Sequence, residues 1–255
     1  MKVTFLGTGT SQGVPVIGCE CEVCRSLDYR DKRLRVSVHI EIEGKSFVID
    51  TGPDFRQQML RERINRLDAV LLTHSHKDHI AGLDDVRAFN FLQKTEMPVY
   101  GTWATLEHLK KEFYYAFEGE KYPGIPVLSL REIDQADFEI NGVRIVPLPV
   151  MHLRMPVLGF RIGDFSYITD ANHIPEETFE KLKGTKILVL NALQKESHVS
   201  HFTLNEAIEQ AQRIGAAQTY FTHISHKMGL HNFVSKELPP SIALAHDGLI
   251  VRCTP

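Results

Sequence analysis

Three imidazoles and a carboxylate crowd into six positions of this chain: His74, His76, Asp78 and His79, within Leu-Thr-His-Ser-His-Lys-Asp-His-Ile-Ala-Gly, residues 72–82. Ring nitrogen and carboxylate oxygen form a donor set that zinc, manganese and iron all accept. Two rings two residues apart suit one ion, and the Asp-His pair that follows suits a second. The run comes straight after the apolar Ala69–Leu72, which reads as a buried strand, and Gly82 closes it. The four side chains are therefore expected on a loop at a strand end. One histidine alone would read as an ordinary polar surface residue, but four ligand types in this order read as a metal site.

Cys19, Cys21 and Cys24 form a second cluster, Gly-Cys-Glu-Cys-Glu-Val-Cys, and hold three of only four cysteines. In a reducing compartment such crowding points to thiolate ligation more than to disulfides. A redox dithiol at Cys21 and Cys24 would need a thioredoxin-like βαβ setting and would leave Cys19 unexplained. Three soft ligands need a fourth to close a tetrahedral structural zinc site, and the candidates are Cys253 and His226. Cys253 reads better as a small apolar residue of a C-terminal strand, Leu249–Cys253.

The order His-x-His-x-Asp-His resembles the signature of the metallo-β-lactamase superfamily, and the likeness runs from Met1 to about Val251. The resemblance implies further ligands, each just after a later strand-like run: His152 after Val143–Val150, Asp170 after Phe165–Thr169, and His223 after Gln218–Thr222. It implies that His74, His76 and His152 hold one divalent ion and Asp78, His79 and His223 the other, with Asp170 bridging. Asp50, in Phe-Val-Ile-Asp-Thr-Gly, looks like the buried carboxylate that orients the ligand loop without binding metal. The Cys cluster after a Gly-Thr-Gly strand end, with Gln12-Gly13-Val14-Pro15 and Thr-His-Ile-Ser-His, is similar to the PhnP-type branch, cyclic phosphodiesterases of phosphonate breakdown. That likeness makes His226 the fourth ligand of a structural zinc, and His223-Ile-Ser-His226 would tie the two sites within one turn of chain. Gly7-Thr-Gly9-Thr-Ser-Gln12 only begins like a dinucleotide fingerprint, because Gln12 stands where its third glycine belongs.

The elements that must carry these side chains can be read from periodicity. Val3–Leu6, residues 35–42, Ser46–Ile49, Pro98–Tyr100, 143–150, 157–162, 165–169, Ile187–Leu190 and Gln218–Thr222 read as strands. Asp54–Arg63, Asp84–Phe91, Trp103–Phe117, about 175–183, Leu204–Ile214 and a short stretch near His231–Leu238 read as helices. Strands on both sides of helical segments imply an α/β chain of α+β type, a four-layer αββα sandwich. With no linker, repeat or low-complexity tract, residues 1–255 read as one domain. The aromatic, Pro/Gly-rich 113–126 reads as a helix end and surface loop, with a mobile lid as the sharper alternative. The basic run Arg30–Arg35 reads as a solvated face.

A net charge of −3 argues against a general nucleic-acid binder, though not against a small phosphate, since bound metals supply local positive charge. The first residues do not form a signal peptide and no apolar run approaches a membrane span, so the expected location is cytoplasmic. A homodimer is left open.

The chemistry these features imply is hydrolysis. Two ions about 3.5–4 Å apart share a water and lower its pKa towards ~7, and the bridging hydroxide attacks phosphorus. The expected activity is a phosphodiesterase on a small cyclic or nucleotide-like phosphate ester. Its cofactors are two active-site ions, zinc or manganese, and one structural zinc. Catalysis is assigned to Asp78 and to His201, which aligns with the general acid of PhnP-type enzymes and whose near-neutral titration suits it. His198 is a weaker candidate for that role. The rival readings are a thioester or lactone hydrolase, transfer-RNA 3′ processing, and a non-catalytic metal-bound carrier or sensor. His39, His108, His173, His231 and His246 read as structural or surface residues.

Overall fold

The computed structural model describes residues 1–118 and 122–254. Among these, fourteen strands form two seven-stranded sheets. The first contains β1 (Lys2–Gly7), β2 (Ser37–Ile42), β3 (Lys45–Ile49), β4 (Ala69–Leu71), β5 (Met97–Gly101), β6 (Leu128–Glu132) and β14 (Ile250–Arg252), ordered β14-β1-β2-β3-β4-β5-β6. The second contains β7 (Phe138–Ile140), β8 (Val143–His152), β9 (Met155–Ile162), β10 (Phe165–Tyr167), β11 (Ile187–Asn191), β12 (Gln218–Thr222) and β13 (Ile242–Leu244), ordered β13-β12-β11-β10-β9-β8-β7.

Alternating residues of both sheets meet face to face, with Val3, Phe5, Val38, Ile40, Phe47 and Ile49 opposite Leu158, Phe160, Phe165 and Tyr167. The other face of the first sheet buries Leu6, Val48, Val70 and Val99 beneath helices Phe55–Glu62, Arg87–Gln93 and Trp103–Glu112. That of the second buries Leu148, Leu188, Leu190 and Phe221 beneath Glu176–Leu182 and Leu204–Ile214. Each sheet is thus apolar on both faces, which a four-layer αββα sandwich requires. Helix Leu204–Ile214 is closed by a capping box between Thr203 and Glu206 and ends at Gly215 in the left-handed region.

Strands β3 to β6 run parallel, as do β10 to β13. Antiparallel pairing of β8 with β9 and of β9 with β10 turns β8 the same way as β10, and the β1-β2-β3 meander likewise aligns β1 with β3. The chain segments leaving β1, β3 and β4 therefore gather at one end of the first sheet, and those leaving β8, β10, β11 and β12 at one end of the second.

Strands β6, β7 and β13 were not expected from the sequence. All three are sheet edges, where one side lacks a neighbour and the apolar pattern is correspondingly weak. The expected helix Trp103–Phe117 divides at Phe113, and the expected helix from Asp84 opens as a 3₁₀ turn, Leu83–Val86, before Arg87–Gln93. The basic run is not a solvated face. Arg33 is buried, donating to Thr8 Oγ1 and the Ala245 carbonyl with His231 Nδ1 3.1 Å away, and burial lowers it to about 10. Arg30 pairs with Asp28 and Arg35 with Asp54.

Of segment 113–126, residues 119–121 lie outside the described residues. Its flanks are anchored: the Tyr115 hydroxyl donates to Asp84 at 2.6 Å, and Arg87 donates to the Gly124 carbonyl. Among the described residues no helix is long and apolar enough to cross a membrane.

Candidate metal centre

Residues 77–80 do not form a loop. They close one helical turn with His76 at its N-cap, through His79 N–H to the His76 carbonyl and Ala81 N–H to the Lys77 carbonyl. This turn presents Asp78 and His79 to the cleft, with His76 on extended backbone just before it. It is packed backbone to backbone against residues 50–54, where Thr51 N–H donates to the His79 carbonyl and Gly82 N–H to the Thr51 carbonyl. A Cβ on Gly52 would lie 2.1 Å from the Asp78 carbonyl oxygen, and one on Gly82 2.1 Å from that of Gly52. Only glycine permits both approaches.

All the expected active-site residues meet at this end of the sandwich. Asp78, His79, Asp170 and His223 bring ligand atoms within 4.8 Å of one another, and so do His152, Asp170 and His201. His74, His76 and His152 face one another with ring centroids 4.6, 5.9 and 5.3 Å apart. Asp50, Asp170 and His223 each follow a strand in the left-handed region, at φ 65°, 54° and 56°. Asp and His tolerate this conformation better than most residues, at about 1 kcal/mol each.

The hydrogen bonds assign the ring tautomers. Asp50, fully buried, accepts from Thr73 N–H at 2.9 Å, Thr73 Oγ1 at 2.8 Å and His79 Nδ1 at 2.7 Å. Since the single Thr73 hydroxyl proton goes to Asp50, Thr73 Oγ1 accepts from His74 Nδ1, 3.0 Å away. His152 Nδ1 donates to the Ser200 carbonyl at 2.8 Å. At His74 and His152 Nε2 is left with a bare lone pair, the arrangement that outer-layer partners impose on metal-binding histidines. At His79 the carboxylates of Asp170, Asp50 and Asp78 outweigh burial and raise the imidazole well above its usual range, so a proton competes with a metal ion for Nε2.

Five buried ring nitrogens have no partner: Nε2 of His74 and His79, Nδ1 of His201, and both of His223. His79 Nε2 faces carboxylate oxygens of Asp78 and Asp170, each at 3.2 Å. Carboxylates packed this closely in a buried site require a positive charge among them, supplied by a proton on His79 or by a metal ion. Burial opposes ionisation of Asp170, but His223 and His79 outweigh it and hold the carboxyl well below its usual range. Asp78 behaves alike, with His79 as its main counter-charge. Burial and the neighbouring His79 keep His74 neutral, so its lone pair is available. The donor set fits divalent metal.

His201 departs from expectation. Burial, then the adjacent His223, lowers it to about 3, so its titration is not near neutral in this environment. Its Nδ1 lies 3.8 Å from Asp170 Oδ1, and its ring stacks on His223 with centroids 4.7 Å apart. It therefore stands within ligand range as well as within reach of a substrate held at Asp170. His198 lies beside it, 5.2 Å away between centroids, and is exposed.

The second cluster also assembles. The sulfurs of Cys19, Cys21 and Cys24 lie 3.3, 3.4 and 3.6 Å from His226 Nδ1. Adjacent corners of a tetrahedral zinc site with sulfur and nitrogen ligands are about 3.5 Å apart. One ring nitrogen accepts one proton, so hydrogen bonding alone does not account for three sulfurs around it. The Cys24 N–H lowers the Cys21 thiol to about 6, whereas burial raises Cys24 to about 11. Cys253 stays outside this group and packs on the inter-sheet core.

Several positioning residues were missed by sequence reasoning. Asn191, the last residue of β11, accepts from Ala171 N–H and donates to its carbonyl, pinning the turn that carries Asp170. Asn172 accepts from Leu153 N–H and donates to the Val199 carbonyl, joining the segments after His152 and before His201. A polar residue closing the apolar Ile-Leu-Val-Leu run was a readable signal for Asn191. None marked Ser200, which acts through its carbonyl.

The chain belongs to the β-lactamase superfamily: residues 45–224 match the model of the beta-lactamase superfamily domain, and it is a metallo-β-lactamase superfamily hydrolase close to PhnP. A solved diphosphatase from the PhnP family is 41% identical, with a TM-score of 0.93 over 99% of this chain and 98% of that one. An octanoyltransferase from Porphyromonas gingivalis is 42% identical over 98% of this chain, which spans only 51% of that longer protein. A ribonuclease Z from Methanopyrus kandleri is 24% identical over 84% of this chain and 89% of its own.

Proposed function

We propose that the chain is a dinuclear metal-dependent phosphodiesterase acting on a small cyclic or nucleotide-like phosphate ester. The observation that carries this reading is Asp170, whose carboxylate is shared by two groups of buried ligand atoms, one with Asp78, His79 and His223 and one with His152 and His201. His74, His76 and His152 would hold one ion and Asp78, His79 and His223 the other, with Asp170 between them. Zinc or manganese held there would lower the pKa of a water towards ~7 and offset charge on the phosphoryl oxygens. Asp50, Thr73 and the Ser200 carbonyl keep the rings aimed, so that little reorganisation is needed at the moment of reaction.

His201 serves as the proton donor to the leaving alkoxide. It rests neutral, and an anionic phosphate bound against it favours the imidazolium that gives up the proton. Cys19, Cys21, Cys24 and His226 hold a structural zinc. The PhnP-family diphosphatase and the ribonuclease Z relative support chemistry at phosphorus. The octanoyltransferase relative favours a second reading, hydrolysis of an acyl thioester, although the match covers only half of that protein.

Hydrolysis of bis(p-nitrophenyl) phosphate by protein reconstituted with Zn²⁺ or Mn²⁺ tests the proposal, with an octanoyl thioester run alongside. Chelator-sensitive diester turnover is expected. A silent diester with an active thioester would replace this reading by the second.

A further inference from the structure

His74, His79 and His152 each have one ring nitrogen held by a protein group, but His223, 1% exposed, has neither. Its Nε2 faces Asp170 Oδ1 at 3.3 Å and Asp78 Oδ2 at 3.7 Å, but no protein group holds its Nδ1 from behind. Its direction is set by stacking on His201 and by its own backbone, which turns into the left-handed region directly after β12. On the N-terminal side that backbone is fixed by pairing of β12 with β11 and β13. On the C-terminal side it is fixed by three consecutive residues. Ile224 N–H donates to the Thr8 carbonyl at 2.9 Å, and the Ile224 carbonyl accepts from Thr10 N–H at 3.2 Å. Ser225 N–H donates to the Leu193 carbonyl at 2.9 Å. His226 then ends in the three sulfurs.

The strand of chain that grips Ile224 also supplies those sulfurs. From Thr10 it continues through Gly13, bonded to the Thr10 carbonyl, to Val14, paired with Arg33, and on to Val16, whose N–H donates to Cys24 Sγ. Residues 8–24 therefore close a ring around residues 223–226, and the cysteine cluster is its clasp. Leu193 accepts from Ser225 and donates to the Phe202 carbonyl, so the same ring reaches the residue after His201.

We propose that the Cys19, Cys21, Cys24 and His226 cluster is a positioning device for His223, its occupancy setting how tightly the cleft holds its second ion. The inference rests on the reading of His223 as a ligand of that ion. Filling the cluster fixes His226, which holds the 223–226 turn and so the direction of an imidazole whose Nδ1 no protein group holds. The ion held by His74, His76 and His152 does not use this segment and is insensitive to it.

Metal binding, not turnover, tests the coupling. Co²⁺ titration separates the sites, because thiolate charge-transfer absorption reports the cluster and weak visible bands report the cleft. Cys21→Ser should weaken the second cleft ion by about 10–100-fold, the usual effect of removing an orienting group, and leave the first within a few-fold. His226→Cys, which keeps four ligands, should retain the second ion. Equal affinity in wild type and Cys21→Ser would overturn the coupling, as would equal weakening of both ions. A wild-type cleft that binds a single ion would instead remove the dinuclear reading and the coupling with it. Wild type alone gives a second test if Cys21→Ser does not fold. Coupling is reciprocal, so zinc should bind the cluster about 10–100-fold tighter when Mn²⁺ fills the cleft. Identical zinc affinity with the cleft empty or filled would end the proposal.

Discussion

The histidine–carboxylate cleft and the cysteine corner are built by opposite strategies. Donors of the cleft come from four strand ends and, except for His76 and Asp78, are buried, with a further layer of side chains and carbonyls fixing the rings. The corner takes three of its four donors from six consecutive residues, is only partly buried, and is backed by a small apolar cluster of Val14, Val23 and Cys24. The fold holds the cleft in shape despite its own repulsions: two ionised carboxylates, five unpartnered ring nitrogens and three residues in left-handed backbone. In the corner the dependence would reverse, because a short loop with little core of its own would gain order from an ion held by its three sulfurs and His226. The proposed reactive site is preorganised by the fold, whereas the proposed structural zinc site would organise it.

His201→Ala bears on the cleft most strongly. It should lower diester turnover by roughly 10²–10⁴ and leave metal content intact. Metal lost along with activity would make His201 a ligand and shift proton delivery elsewhere. Cys21→Ser is the matching change at the corner. It should remove about one zinc per chain and lower the thermal midpoint by several degrees, at ~2–4 °C per kcal/mol for a chain of this size. Unchanged zinc stoichiometry, read by elemental analysis, would dissolve the contrast between the two sites.

A region remote from both supplies the acid background. Burial lowers His39 from 6.5 to about 4, next to the Ser46 hydroxyl in the first sheet. Between those values the unfolded chain binds a proton that the folded chain refuses, so stability falls as pH drops from about 6.5 to 4. The contribution is up to about 3 kcal/mol at 1.4 kcal/mol per unit. Denaturant titrations of His39→Gln should show a flatter pH dependence across that window; an unchanged slope would assign the acid sensitivity to the metal sites. The smallest expected effect is at Asp50. Asp50→Asn keeps an acceptor for His79 but removes the charge, and should weaken cleft metal by about 10-fold, with cluster zinc unaffected when the cleft is empty. Weaker cluster zinc with the cleft empty would show that Asp50 supports the fold in general.

Much of this was legible in the chain because the informative residues are local. His74, His76, Asp78 and His79 share one short stretch, Cys19, Cys21 and Cys24 another, and the strands before His152, Asp170 and His223 carry strong apolar patterns. Edge strands β6, β7 and β13 were not legible, since a half-paired strand needs only a weak pattern. Nor was the burial of Arg33: charge patterning places arginine in solvent, and only the Thr8 hydroxyl, the Ala245 carbonyl and the His231 ring, all distant in sequence, satisfy it inside.

The sequence by itself determined the donor types, their order and the four-layer architecture, because ligand chemistry and hydrophobic periodicity are properties of consecutive residues. Only the tertiary structure decided which nitrogen of each ring is free, that the turn at 77–80 is helical, and that His201 is too deeply buried to titrate near neutrality. It also decided that the chain leaving His223 is clasped by residues more than two hundred positions away. Those properties depend on backbone contacts and local dielectric, which exist only once distant segments have met.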